Sequence, residues 1–322
     1  MSSFTLRHDG ELPAGSRIAA LGHYLPARVR DNAEIADRIG VDPDWIASRT
    51  GITQRHIAAP DESVVDMAAA AAHKALANAG TDPGVVDTVI VATSTAATTI
   101  PSAAAQVAAR LGLSRPGAFD INTACSGFST SLGVADGLIR SGVARNVLVV
   151  GADKSTDWLD LDDRDTVILF GDGAGAALVS ASDTPMIGPM VWGSAGESSQ
   201  VIVISETTKV LTQDGRAVFR WASNLAPLAA EVCAANGIEP ADLAAFVPHQ
   251  ANLRIIDALA RGLELSSTVV ATDVVDTGNT IAATVPIALS RMSERGEIPA
   301  GSPVLLFGFG AGLAYSGQVV IL

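Results

Sequence analysis

The chain carries two copies of one pattern at a fixed distance, and that duplication limits the folds open to it. Asn78-Ala79-Gly80-Thr81-Asp82-Pro83 runs into the apolar segment Thr88-Val89-Ile90-Val91-Ala92. Ala235-Asn236-Gly237-Ile238-Glu239-Pro240 runs likewise into Ala245-Phe246-Val247-Pro248-His249. Gly80 to Gly237 and Pro83 to Pro240 are both steps of 157, and the same step carries Asn122-Thr123 to Asn279-Thr280 and Val147-Leu148-Val149-Val150-Gly151 to Val304-Leu305-Leu306-Phe307-Gly308. Further on the match slips. Phe170-Gly171 aligns with Phe309-Gly310 at a step of 139, so the first half holds an insertion (157 less 139), placed at 152–169. Each half alternates helical stretches with short continuous apolar runs, the pattern of sheets covered by helices on their faces. The expectation is an α/β fold of two homologous halves, residues 14–182 and 183–322, with no linker between them. A pseudo-twofold axis would bring matching strand ends to a common crevice.

Composition narrows the functional classes. With 322 residues, 48% hydrophobic and 17% charged, the chain can bury large cores without cross-links. Two cysteines and no secretory signal point to a reducing, cytosolic setting. The segment Met1 to Pro13 is polar and expected to be loose. No run approaches the roughly 20 apolar residues needed to cross a bilayer, so no membrane role is expected. A net charge of −13, with no basic run interleaved with aromatics, argues against nucleic-acid binding.

Three residues fall where the repeat makes chemistry converge. Cys125 follows the segment Asp120-Ile121-Asn122-Thr123-Ala124 and precedes a helix expected from about Ser126 to Arg140. A thiol at a helix N-terminus faces unpaired N–H groups and the positive end of the macrodipole, which favour a nucleophilic thiolate. His249 closes a strand of the second half. Asn279, in Asp276-Thr277-Gly278-Asn279-Thr280, is expected at the end of another, again before a helix. Singly, each has a bland reading: a buried free cysteine, a loop imidazole, ordinary turn chemistry. Their joint placement at strand ends favours a Cys-His-Asn site.

At these residues the chain resembles the condensing enzymes of the thiolase fold, and in particular the ketoacyl-acyl carrier protein synthase III family. The likeness runs from Trp45-Ile46-Ala47-Ser48-Arg49-Thr50-Gly51-Ile52 through Ala124-Cys125-Ser126-Gly127-Phe128 and Phe170-Gly171-Asp172-Gly173-Ala174-Gly175-Ala176. It continues to His249-Gln250-Ala251-Asn252-Leu253-Arg254 and Gly278-Asn279-Thr280. The resemblance implies a five-layered αβαβα arrangement and a homodimer. It implies that Cys125 takes an acyl group from acyl-CoA, while His249 and Asn279 hydrogen-bond the enolate formed when malonyl-acyl carrier protein loses CO2. The oxyanion hole would be the amides of Cys125 and of Ala311, where the family usually has a longer glycine run than Gly310-Ala311-Gly312.

Further roles follow from the same resemblance. Trp45 and Arg164 would sandwich the CoA adenine, with Arg49 beside them, and Asn252, Gly215 and Phe219 would line the pantetheine tunnel. Arg220, Arg254 and Arg261 would meet the acidic carrier protein. Ile100 falls where a residue reaches across the dimer to bound the acyl pocket, often as Phe, so a larger or more branched starter than acetyl is expected. CoA thioester is a substrate, and no cofactor is implied.

Other features read as structure. Cys233 lies on an apolar helix stripe. His8, His23, His56 and His73 lack ligand spacing, so no metal is expected. The Gly171 to Gly175 run precedes a strand-like segment, whereas a dinucleotide fingerprint must open a helix. Two other functions remain open from sequence: an acyltransferase that moves an acyl group from Cys125 to a hydroxyl or amine without decarboxylation, and a non-catalytic partner subunit.

Overall fold

The computed structural model describes residues 12–322; His8 and most of the Met1–Pro13 segment lie outside the described residues. Two five-stranded sheets dominate. The first holds β1 (Gly15–Tyr24), β4 (Thr88–Ala92), β5 (Gly117–Ile121), β6 (Asn146–Lys154) and β7 (Asp172–Ser182), in the order β1-β7-β6-β4-β5. The second holds β8 (Val191–Ser194), β11 (Ala245–Pro248), β12 (Val269–Val270), β13 (Pro303–Gly310) and β14 (Ala314–Ile321), in the order β12-β11-β13-β14-β8. Read from the parallel edge, the two orders coincide strand for strand: two parallel pairings followed by two antiparallel ones, so that only the fourth strand, β7 or β14, runs against the rest.

The pairings carry the repeat into three dimensions. Thr88 pairs with Val147 and Ala245 with Val304, which are the same pair displaced by 157. The antiparallel ladders revise the later alignment. Asn146 faces Ser180 while Pro303 faces Ile321, so β7 and β14 correspond at a step of 141, not 139. The insertion (157 less 141) is therefore shorter than the repeated Phe-Gly suggests. That dipeptide recurs in both halves, but hydrogen-bonded register decides which residues are equivalent. β6 also runs on through Lys154, so the inserted chain leaves the sheet later than expected.

Helices fill the spaces on both sides of each sheet. α3 (Val64–Ala79) and α4 (Ala103–Arg110) cover the outer face of the first sheet, while α7 (Ala226–Ala235) and α8 (Leu253–Gly262) cover that of the second. Between the sheets lie α5 (Gly127–Arg140) and α10 (Thr284–Glu294), whose first residues are themselves related by the step of 157. The result is five layers. Strand alternation explains it: Val147 and Val149 of β6 face the central helices, whereas Leu148 and Val150 face α3. On β13, Val304 and Leu306 face inward while Leu305, Phe307 and Phe309 face α7 and α8. A strand buried on both faces must be apolar throughout, which is why these runs are continuous.

Local signals set the helix ends. α3 opens on a capping box in which Ser63 and Asp66 each bond the other's backbone N–H, and it ends at Gly80 in the left-handed conformation (φ 61°). Close approach shapes the middle layer. A Cβ added to Gly175 of β7 would lie 2.7 Å from the Ile287 nitrogen of α10.

The smaller elements complete the chain. α1 (Asn32–Ile39) and α2 (Pro43–Thr50) stand beside the two-stranded sheet of β2 (Arg28–Asp31) and β3 (Gln54–Ile57). β9 (Ile202–Ile204) and β10 (Leu211–Gln213) form a hairpin followed by α6 (Gly215–Ala222). Short α9 (Val274–Thr277) corrects another expectation. Gly117 pairs with Thr88 and Val269 with Ala245, a step of 152, yet Asn122 and Asn279 are related by a step of 157. The extra chain (157 less 152) lies in the region of α9, so Asn279 follows a helix and not a strand.

Among the described residues no helix is long and apolar enough to cross a membrane. Leu132, fully buried on α5 between the sheets, tests the central layer. Leu132→Ala should destabilise the fold by about 2–5 kcal/mol in chemical denaturation.

Candidate active site

Cys125 sits in a one-turn 3-10 helix, Ala124–Ser126, immediately before α5. Its conformation depends on Ala124, which takes the left-handed φ of 47°. Such a φ is uncommon for a residue with a Cβ and marks a turn held by its surroundings. The Asn122 side-chain oxygen accepts from the Ala124 N–H at 3.2 Å and braces that turn.

The second half repeats this turn. Ile281, the counterpart of Ala124 at the step of 157, has φ 53°; a 3-10 helix spans Ile281–Ala283; and the Asn279 side-chain oxygen accepts from the Ile281 N–H at 2.9 Å. Ala282 stands where the first turn has Cys125. The two copies have diverged into different jobs: one presents a thiol, the other aims an amide. With its oxygen committed to Ile281, Asn279 has its NH2 left to offer.

His249 follows β11, its backbone N–H bonded to the Phe307 carbonyl at 2.7 Å and its ring edge-on to Phe309 at 5.2 Å between centroids. Nδ1 lies 2.7 Å from the Thr284 hydroxyl at the start of α10. Burial lowers the pKa of the imidazole to about 3, so the ring is neutral at physiological pH.

Cys125, His249 and Asn279 all line one cavity of about 1420 Å³. The strand end at Gly310 makes room for the sulfur, since a Cβ there would lie 2.6 Å from the Cys125 Cβ and 2.8 Å from Sγ. Just beyond lies Ala311, whose backbone N–H, with that of Cys125 itself, acts to lower the thiol pKa. Ala311 is compatible with this place because the left-handed φ falls on Gly312 instead (128°).

The resting thiol departs from the sequence expectation. Burial pushes Cys125 up to about 12, the nearby Asp153 charge adds to that, and the two amides only partly oppose it. The helix end is outweighed because removing a thiolate from water costs more than a few partial charges return. With its pKa raised in this way, the Cys125 thiol is protonated near neutral pH.

Trp158, Phe170, Ile204, Leu211 and Ile281 close around the sulfur as an apolar chamber, with the β9–β10 hairpin as its roof. Sequence reasoning missed Trp158, Thr284 and the hairpin; only the continuous Ile202-Val203-Ile204 run signalled the last. Ile100 is 87% exposed and does not line this chain's cavity.

The mouth holds most of the other candidates. Arg49, Gly215, Phe219, Arg220, Asn252 and Arg254 line the cavity. Asn252 caps α8 and donates to the Arg49 carbonyl at 3.3 Å, and Arg254 lies over the Phe219 ring at 5.2 Å. Arg261 shares a shallow neighbouring hollow with Arg254, and Asp257 lies between them. Trp45 and Arg164 stand outside the cavity lining. Arg49 covers Trp45 at 4.6 Å, and Arg164 donates to the Ile39 carbonyl at 2.8 Å. Lys209 and Arg216 are further basic residues at the mouth that sequence reasoning did not single out.

Among the described residues, no three His, Cys, Asp or Glu side chains gather as a metal site, and Cys233 is buried in the core of the second half. The Gly171–Gly175 run lies at the start of β7, outside any helix N-terminus.

Family models for 3-oxoacyl-[acyl-carrier-protein] synthase III match residues 119–196, and for its C-terminal part residues 233–322. A Streptomyces coelicolor β-ketoacyl-[acyl-carrier-protein] synthase III is 51% identical over 310 residues, covering 95% of this chain and 98% of the relative. The chain belongs to the β-ketoacyl-[acyl-carrier-protein] synthase III family. The crystal structure of the priming β-ketosynthase of the R1128 polyketide pathway superposes with a TM-score of 0.95 at 42% identity, covering 98% of each chain. The Pseudomonas aeruginosa synthase III structure gives 0.91 at 38% identity, over 95% of this chain and 98% of that one. The fold is thus the thiolase-like one of this family.

A buried thiol with a raised pKa ionises late. Alkylation of Cys125 by iodoacetamide should keep accelerating above pH 9, where an exposed cysteine with a pKa of about 8.5 approaches its plateau.

Proposed function

We propose that this chain forms the first carbon–carbon bond of a fatty-acid or polyketide chain, joining an acyl-CoA to malonyl-acyl carrier protein. The observation that carries the reading is the meeting of Cys125, His249 and Asn279 in one cavity, with Ala311 at the same wall.

In the first half-reaction Cys125 sulfur attacks the thioester carbonyl. The amides of Cys125 and Ala311 hold the oxyanion, CoA leaves, and the thiol proton passes to the departing CoA sulfur. Ionisation is needed only as the bond forms, so a resting thiol is compatible with the chemistry. In the second half-reaction the malonyl thioester loses CO2, and negative charge develops on its thioester oxygen. The Asn279 amide donates to that oxygen. The single hydroxyl proton of Thr284 has two acceptors, the Ile281 carbonyl at 3.0 Å and His249 Nδ1 at 2.7 Å; His249 donates beside Asn279 in the tautomer in which that proton turns to Nδ1 and the ring N–H is on Nε2. A ring held neutral by burial suits this donor role better than a proton-transfer one. The enolate carbon then attacks the acyl-Cys125 thioester, the carbon–sulfur bond breaks, and solvent returns a proton to the sulfur.

The surroundings fit these substrates. The cavity lining carries Arg49, Lys209, Arg216, Arg220 and Arg254 against Asp165, Glu206 and Asp214, a basic excess in a chain of net charge −13 that suits an acidic carrier protein and a CoA phosphate. Arg49 lines the cavity and lies over Trp45 outside it, and this pair, with Arg164, is assigned to the adenine end of CoA. An apolar chamber around Cys125 suits an uncharged hydrocarbon starter, and no cofactor is called for. β5 is an edge strand with Phe119 partly exposed, and the Ile100 loop projects nearby; both fit a homodimer built on that edge.

Intact-mass analysis after exposure to acyl-CoAs tests the reading. Cys125→Ala should take up no acyl group, while Asn279→Ala should load normally and fail to condense. Trp158→Ala, which opens the chamber, should shift loading toward longer acyl groups in competition assays. Arg254→Glu should raise KM for the malonyl carrier protein about five-fold or more; because Arg254 also lines the cavity that acyl-CoA enters, loading of Cys125 should weaken too, by a smaller factor.

A further inference from the structure

Asp153 is a fully buried carboxyl that no step above employs. It lies at the end of β6 in the position that Gly310 holds on β13, again related by the step of 157. There it does for the second turn what the Gly310 end does for the first. One oxygen accepts from the Ser94 N–H and the Thr95 hydroxyl, each at 2.9 Å, and from the Thr93 hydroxyl at 3.2 Å, all on the loop after β4. The other accepts from the Ala282 N–H at 2.9 Å. Ala282 is the counterpart of Cys125, and its neighbours in the same turn are Ile281, which braces Asn279, and Thr284, which bonds His249. One side chain therefore ties the first half to the turn that carries both enolate donors.

We propose that Asp153 is a positioning residue for the condensation half of the reaction, holding the 281–283 turn so that Asn279 and His249 converge on the malonyl thioester. The proposal rests on the roles assigned above to Cys125, His249 and Asn279. Loading depends on Cys125 and its two amides, none of which hydrogen-bonds Asp153. The two halves of the reaction should therefore separate.

Asp153→Asn keeps the side-chain volume and the three contacts on one oxygen, but turns an NH2 toward the Ala282 N–H, donor against donor. Loading of Cys125 by acyl-CoA should stay within about two-fold, while condensation falls by about 10–100-fold, the usual effect of a misplaced catalytic group. The same variant removes a negative charge near the sulfur, so its iodoacetamide pH profile should move to lower pH while its thermal melt stays cooperative; unfolding would move the profile the same way but abolish the melt. Where D153N does not fold, Thr95→Val, which removes one donor to the same carboxylate, should show the same split in smaller measure. Condensation at the parent rate in D153N, beside an Asn279→Ala control that cannot condense, overturns the proposal and leaves the site reading intact. Equal loss of loading and condensation overturns it too. An Asn279→Ala variant that condenses normally overturns the site reading itself.

Discussion

Everything at the site depends on the apolar seam in which α5 and α10 lie between the two sheets. The thiol comes from the turn that starts α5 and the amide from the turn that starts α10, so helix packing fixes how they meet. Neither half has an active site by itself. Close packing makes the distance between two such turns a property of the whole core, which yields little to a local disturbance. The same seam explains why glycine is needed at Gly310, where a strand end approaches a sulfur too closely for any side chain.

Burial sets the protonation of the buried groups around the cavity. Burial lifts the thiol, keeps the imidazole uncharged and pushes the Asp153 carboxyl up to about 7. In such surroundings a hydrogen-bond donor aimed at developing charge counts for more than it would in solvent, and a fixed charge is a liability. A Cys-His-Asn set of uncharged donors is consistent with those conditions. The basic residues stay at the mouth, where charge is hydrated and can draw acidic partners.

Much of this was legible in the chain. Continuous apolar runs such as Thr88–Ala92 and Val304 to Phe307 foretold strands covered on both faces, and the repeat step of 157 foretold which strand ends would match. Two kinds of information were not. Register past the insertion could not be taken from a repeated Phe-Gly, because equivalence there is defined by hydrogen bonds between distant strands. The behaviour of the Cys125 thiol was likewise hidden: a helix end is a local feature visible in sequence, whereas the burial that overrides it comes from Trp158, Phe170, Ile204 and Leu211, scattered widely along the chain. Arg164 shows a similar gap, since its partner, the Ile39 carbonyl, follows from tertiary placement, whereas Arg49 over Trp45 is an i,i+4 contact within α2.

The β9–β10 hairpin has a consequence for the order of events. A two-stranded ribbon this short has little stability of its own, and this one is held down through Ile204 and Leu211 against the walls around the sulfur. On the proposed reaction, a hydrocarbon group carried by Cys125 would fill the hollow beneath and give the ribbon more to rest on. The loaded enzyme would then be tauter than the empty one, and its thioester sheltered from hydrolysis in the interval before the second substrate arrives.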